Sequence, residues 1–476
     1  MGAAAAAVAA RAARARTIAS NAQRDTGQGG LRAALFPSAR KLGIEAAILL
    51  VLIGAGAAIA WKLSIHHVHN PRVLGGANVD VAAIQGSQSE ASFVALPGHP
   101  DALLGVDDSL GIHSSTDGGR TWRTRNYAAL TTLCTHRDPR LALDAGGRQY
   151  LAYIGSDLCG DELQPYLLVA SRPSATAPWH VVRVARRTWE FGFDDAPAIA
   201  VDQHTGIVYV AFTRSLGPHR EAVVVSRSTD HGRTWSDPLI VDPPDALPHL
   251  AHVAVAANGD VYVAGIDAAH GIWAARSTDG GRTFGLAAKL ATLHANPSED
   301  CARTGVVPVA QEERSCAGPN VNLLVSGGRV ETVYADAAAD GTQDVALAAA
   351  DASLRPLFHV TVNPPDIGKA QQLLPVAAAD ASDGVLWSCW YDTTYWPSGK
   401  NAWFTCSHSR DARHWSAPVR AAAVPSPLSY LFVVYSYSGL VPALTAAGGV
   451  AHPFWLDSRR ANTLNDIFTA AIPLKR

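Results

Sequence analysis

Lysine is scarce in this chain: six residues against 33 arginines in a total of 476, with charged residues making up only 17%. Positive charge is also missing where a polyanion would need it. Up to Lys62 there are eight basic and two acidic residues, a net of +6, which leaves 31 basic against 39 acidic residues, a net of −8, for everything beyond. A domain with that balance has no basic face to set against phosphates, so nucleic acid is excluded as a partner. Cysteines at Cys-x2-Cys spacing are absent, which argues against structural zinc, and no metal or cofactor is expected. Helical stretches are absent beyond residue 79.

What remains is a turn-rich chain, 48% hydrophobic with 40 glycines and 28 prolines, long enough for a large core after an N-terminal preface. The octamer Ser-Thr-Asp-Gly-Gly-Arg-Thr-Trp at 115–122 returns in close copies at 228–235 and 277–284, and in a worn copy at 409–415. Recurrence at such intervals marks a repeat protein. Each residue type has its reason. The aspartates Asp117, Asp230, Asp279 and Asp411 can fold back onto backbone N–H groups of a tight turn, and the following glycines supply the positive φ such a turn needs. Threonine and the closing aromatic then start a strand. The octamer resembles the Asp-box, or BNR repeat, of the sialidase-like β-propellers, and the resemblance assigns those four aspartates a structural role.

A second unit, apolar strand, glycine turn, apolar strand, recurs around Gly98, Gly146, Gly206, Gly259, Gly327, Gly384 and Gly448. Seven such hairpins predict an all-β chain built as a propeller of four-stranded antiparallel blades, seven in number; six, as in typical sialidases, is the alternative. The last repeat ends after its third strand, so strand 79–84 is expected to complete that blade and close the ring.

Residues 1–41 read as a disordered basic cytoplasmic tail, 42–62 as a transmembrane signal-anchor helix, 63–78 as a linker and 79–476 as the propeller. The apolar run 42–61 has the length that crosses a bilayer, and the positive charge on its N-terminal side keeps that end in the cytoplasm. The lipid bilayer is thus an expected partner, with the propeller extracytoplasmic. Cleavage near Ala60, releasing a secreted protein, is the alternative. For an exported chain the six cysteines read as the local disulfides Cys134–Cys159, Cys301–Cys316 and Cys389–Cys406.

Topology places the Asp-box turns on one rim and the long loops on the other. An aspartate follows the second strand of five repeats, at Asp107, Asp267, Asp336, Asp392 and Asp457, and its recurrence favours capping the next loop. Repeat three has Arg214 instead, beneath Asp194 and Asp195 at the entry of its first strand; these form either a ligand clamp, an acid/base pair, or a satisfied ion pair. Further rim candidates are Arg137, Asp138 and Arg140, with Arg459 beside Asp457. Trp390, Tyr391, Tyr395 and Trp396 read either as a sugar-stacking loop or as inter-blade packing. In the sialidase-like family, catalysis uses three arginines, a tyrosine nucleophile and an aspartate acid/base. Tyr437, in Tyr-Ser-Gly-Leu, is similar to the nucleophile segment, whereas the Arg-Ile-Pro segment ahead of the first blade is absent. The expected partner is therefore a glycan or envelope component, bound by a non-catalytic propeller or hydrolysed through Asp194, Asp195 and Tyr437.

Overall fold

The chain divides into two compact units, Met1–Asn70 and Pro71–Arg476. The computed structural model describes residues 78–82, 90–108, 111–126, 135–156, 166–184, 192–217, 220–241, 249–267, 271–294, 307–308, 316–317, 321–337, 342–365, 370–395, 401–428, 442–457, 459 and 466–474, all within the second unit. The tail, the anchor segment 42–62 and most of the linker lie outside the described residues. Among the described residues no helix is long and apolar enough to cross a membrane.

Among the described residues, a separate two-stranded pair joins Val307–Pro308 to Cys316–Ala317, and seven antiparallel sheets of four or five strands follow one another along the chain as meanders. Their first strands are Ser92–Leu96, Thr135–Leu143, Asp194–Val201, His249–Val255, Asn322–Ser326, Gln372–Ala379 and Ala443–Ala447. The sequential order within each sheet makes this a seven-bladed propeller, which decides the blade count between the two expected alternatives. Blade seven takes its outer strand from the start of the domain: Val79–Asp80 pairs antiparallel with Asp466–Thr469, Val79 opposite Thr469 and Asp80 opposite Phe468. Closure joins the two ends of the propeller by backbone hydrogen bonds.

Burial follows strand position. The second strand of blade three, Val208–Gly217, is buried for its first eight residues, because neighbouring blades cover both of its faces. Its first strand is largely half-buried, since one face borders the axis. The closing joint is aromatic: Phe93 of blade one stacks on Phe454 of blade seven at 3.6 Å between ring centroids, and Trp122 meets both edge-on. The Phe93 ring lies across Gly105, where a Cβ would come within 1.9 Å of it, so that position has room for glycine alone. Of the seven turn glycines, six adopt positive φ; in blade two the left-handed residue is Gly147 rather than Gly146.

The Asp-box turns join the third and fourth strands of blades one, three, four and six. In the first, the Asp117 carboxylate accepts from the Thr121 amide (2.9 Å) and hydroxyl (2.6 Å) and from the Ser115 hydroxyl (2.8 Å), while Ser115 Oγ accepts from the Gly119 amide. Asp230 and Asp279 repeat this geometry. The fourth box is one residue shorter and puts His414 where threonine stood, its ring 2.7 Å from Asp411. Cys389 and Cys406 face each other across the second and third strands of blade six and form a buried disulfide. The other two expected pairs involve residues outside the described set.

Candidate functional site

Each first strand begins on the loop-rich rim and runs inward along the propeller axis. Four of them carry a bulge near this start, between Arg137 and Arg140, Asp195 and Ala198, His249 and His252, and Leu373 and Val376. A bulge re-aims the side chains around it. Asp138, Ala196 and Leu374 take positive φ there (52°, 47° and 49°), and Glu90 does the same at the entry of blade one (53°). Proline follows three of these residues, as Pro139, Pro197 and Pro375, where a strand edge without a partner needs no N–H.

One step further in, Ser92, Arg140, Ala198, His252, Asn322, Val376 and Ala443, one from each blade, line an axial cavity of about 240 Å³. Two of them also tie neighbouring blades together. Ser92 Oγ accepts from the Leu141 amide at 3.0 Å and Asn322 Oδ1 from the Ala377 amide at 3.3 Å. His252 is pulled down to about 4 by burial and by Arg140, so its ring is neutral at physiological pH.

Above this ring, on blades one to three, four carboxyl groups gather. The Asp138 amide donates to Glu90 Oε2, which links blades one and two. Asp138 is fully buried, and among the described residues neither of its carboxyl oxygens has a hydrogen-bond partner; Asp195 Oδ1 is likewise buried and without a partner among them. Burial, then the charges of Glu90 and Asp195, hold the Asp138 carboxyl well above the usual range, with Arg140 and Arg137 opposing. Burial pushes Glu90 up to about 7, against the Asp138 amide and Arg140. Glu221, at the start of the third strand of blade three, is raised to about 7 by burial and by Asp195. The group can therefore keep protons on two carboxyls near neutrality beside Asp195, which is the electrostatic arrangement general acid/base chemistry requires.

Other candidates from the sequence are engaged elsewhere. Asp194 and Arg214 sit in direct cross-strand register and form a buried bidentate pair, 2.8 and 3.0 Å, each 4% exposed, and Asp194 also accepts from the Leu167 amide. Of the three expected roles, the geometry is that of the satisfied ion pair. Asp392 is buried and accepts from the Thr394 amide and from Gln372. Asp457 is buried among Ser426, Trp455, the Arg459 amide and the Arg459 guanidinium, which spends Arg459 as well. Asp107 and Asp267 cap the amides of Gly111 and Gly271, and Asp336 accepts from the His294 amide. The recurrent aspartate is a loop cap.

Trp390 and Tyr391 do not lie on a loop. Both are fully buried in the second strand of blade six, Trp390 donating to Gln372 Oε1 and Tyr391 to the Leu456 carbonyl, so inter-blade packing accounts for them. Tyr395 is half-buried, with its hydroxyl raised by burial and Asp392. Trp396 and Tyr437 lie outside the described residues. No group of three or more His, Cys, Asp or Glu residues placed to hold a metal occurs among the described residues.

Glu90 and Glu221 escaped the sequence reading because neither belongs to a motif or has a carboxylate neighbour in the chain. Setting the starts of the first strands side by side, Glu90-Ala91-Ser92 over Asp138-Pro139-Arg140, is the signal that finds Glu90.

No family model matches the chain, and no curated protein matches it. Among solved structures, a protein of unknown function from Dyadobacter fermentans is 14% identical, with 67% of this chain and 94% of that one covered and a TM-score of 0.43. A Hadza microbial sialidase is 15% identical over 79% and 75% of the two chains, TM-score 0.43. The NanB sialidase from Streptococcus pneumoniae is 7% identical over 79% and 82%, TM-score 0.44. The assignment of the fold rests on the blade pairing and the box geometry above.

Proposed function

We propose that this chain is a glycan-binding propeller, displayed outside the cell on an N-terminal signal anchor, whose ligand sits on the loop-rich rim over blades one to three. The observation that carries the reading is the convergence of Glu90, Asp138, Asp195 and Glu221 with Arg137 and Arg140 above an axial cavity lined by all seven blades. Polyhydroxylated ligands are recognised by such close sets of carboxyl and guanidinium groups, which offer donors and acceptors together. The buried Cys389–Cys406 disulfide supports an oxidising compartment, and the apolar run at 42–61 supports the anchor. Glycan-array binding by the full-length protein, lost in Asp195→Asn and Glu221→Gln, tests the reading. An array without hits removes it.

A second reading, hydrolysis of the bound glycan, is favoured by one feature: Glu90 of blade one and Glu221 of blade three, both raised to about 7, lie in one charged group with Asp195 and can exchange protons near neutrality. Release of the fluorophore from fluorogenic glycosides, abolished by Asp195→Asn, would establish it; its absence across sialosides, glucosides and glucosaminides leaves the binding module.

A further inference from the structure

We propose that the axial cavity is a sulfate site, so that the ligand of this propeller is a sulfated glycan whose sulfate ester enters the axis while the sugar stays on the rim. The inference rests on the glycan reading above and names the substituent that anchors the ligand.

Donors without acceptors are the first support. Arg140 lines the cavity half-buried, and among the described residues its guanidinium makes one hydrogen bond, from Nη1 to the Pro139 carbonyl at 2.9 Å, and no ion pair. His252 lines the same cavity, also half-buried, and neither ring nitrogen is engaged by a described residue. Its ring is held neutral by burial and by Arg140, so it offers one N–H. Ser92 Oγ accepts from the Leu141 amide, which leaves its own hydrogen to give. Blades one, two and four thus bring spare donors to one space, and all three side chains keep accessible surface there.

The second support is the sign of the charge. Among the described residues lining the cavity Arg140 is the one charged side chain, and no carboxylate stands with it. The Asn322 amide is committed to the Val333 and Pro375 carbonyls and to the Ala377 amide. Glu90 and Asp138 lie near Arg140 from outside the cavity, and burial keeps protons on both toward neutrality. Alanine, proline, valine and leucine make up most of the remaining wall, so an anion entering meets the guanidinium with little water to screen it.

The number of donors selects the anion. Ser92, Arg140 and His252 belong to three blades around the axis and so approach from different directions. A sulfate ester presents three terminal oxygens and a single negative charge, which matches three donor groups and one guanidinium. A carboxylate has two oxygens in one plane, and a phosphate monoester carries about −1.5 to −2 charges at neutrality.

The full-length protein is applied at pH 6.5 to an array of sulfated, carboxylated and neutral glycans, and is titrated calorimetrically with sodium sulfate and with sodium acetate. Sulfated glycans are expected to bind at least tenfold more tightly than their unsulfated parents, and sulfate more tightly than acetate. Arg140→Gln should cost at least tenfold for both sulfated glycan and free sulfate. His252→Phe keeps the ring volume and breaks no hydrogen bond; it should cost about fivefold, so the test does not depend on Arg140→Gln folding. Arg120→Gln, on the opposite rim, should change neither. Array hits in which neutral or carboxylated glycans equal the sulfated ones overturn the sulfate site and leave the glycan reading standing. Free sulfate bound and lost in both cavity variants, with an array without hits, upholds the site and ends the glycan reading. Sulfate binding unchanged in both variants, or no binding of sulfate in either form, overturns the proposal.

Discussion

The propeller carries carboxylates on both rims, and the two sets live under opposite physics. On the box rim, Asp117 accepts three hydrogen bonds, the Thr121 hydroxyl first among them, which hold its carboxyl down at about 2. On the loop rim, Asp138 has lost water and meets no donor among the described residues, and its carboxyl is driven upward. The box carboxylate is ionised and satisfied, and its surroundings recur in four blades. The mouth carboxyls are assembled from single, unrepeated residues of three blades. Repetition here marks what builds the fold, and departure from repetition marks where the molecule can do something else.

The largest expected effect tests which of the unrepeated residues are structural. Asp194→Ala leaves the Arg214 guanidinium buried without its counter-charge, and urea denaturation should show a loss of about 3–5 kcal/mol. A loss below 1 kcal/mol would mean that the pair is less enclosed than its 4% exposure indicates. Next comes the crosslink in blade six: replacing both Cys389 and Cys406 by alanine removes a bridge of sequence separation 17 and should cost about 3 kcal/mol, read from the same denaturation curves.

Asp138→Asn sharpens the contrast between the rims, because replacing a buried carboxyl that burial disfavours should stabilise the protein while harming its site. A gain of about 1 kcal/mol in thermal unfolding, together with lost ligand binding, is the expected pattern; a loss of stability would show the carboxyl to be a structural member like Asp117. Asp117→Ala should do the reverse, costing about 1 kcal/mol with ligand binding intact.

The last contrast is in the pH dependence, which has opposite signs on the two rims. Glu90 and Glu221 keep protons in the folded protein up to about 7, whereas the unfolded chain gives them up near 4.5, so the folded state binds more protons between those values. Stability should therefore fall as pH rises from about 4.5 to 7 and then level off. Asp117 titrates at about 2 in the fold and 3.8 outside it, so its contribution is complete above 3.8 and drains away as pH falls toward 2. Chemical denaturation across pH 2–8 should show both slopes, and Glu221→Gln should flatten only the upper one.

The sequence by itself determined the architecture. Turn chemistry and strand alternation are local: an aspartate two residues after a serine, with a glycine next to it, folds its own loop, and seven hairpins of one period leave a ring as the way to bury them. The closing strand at Val79, the opposed Cys389 and Cys406 and the capping role of Asp267 were all readable on those grounds. What only the tertiary structure decided was which charges are spent and which remain. Asp194 and Asp195 are neighbours in the chain, but alternate side chains of a strand point to opposite faces, so one is tied to Arg214 and the other joins the mouth. Glu90, Asp138 and Glu221 are separated by up to 131 positions and meet only because the ring brings the starts of three blades together. Whether a carboxyl is a cap, an ion-pair partner or a proton store depends on the water it loses and the donors it meets there, and neither is written in its neighbours along the chain.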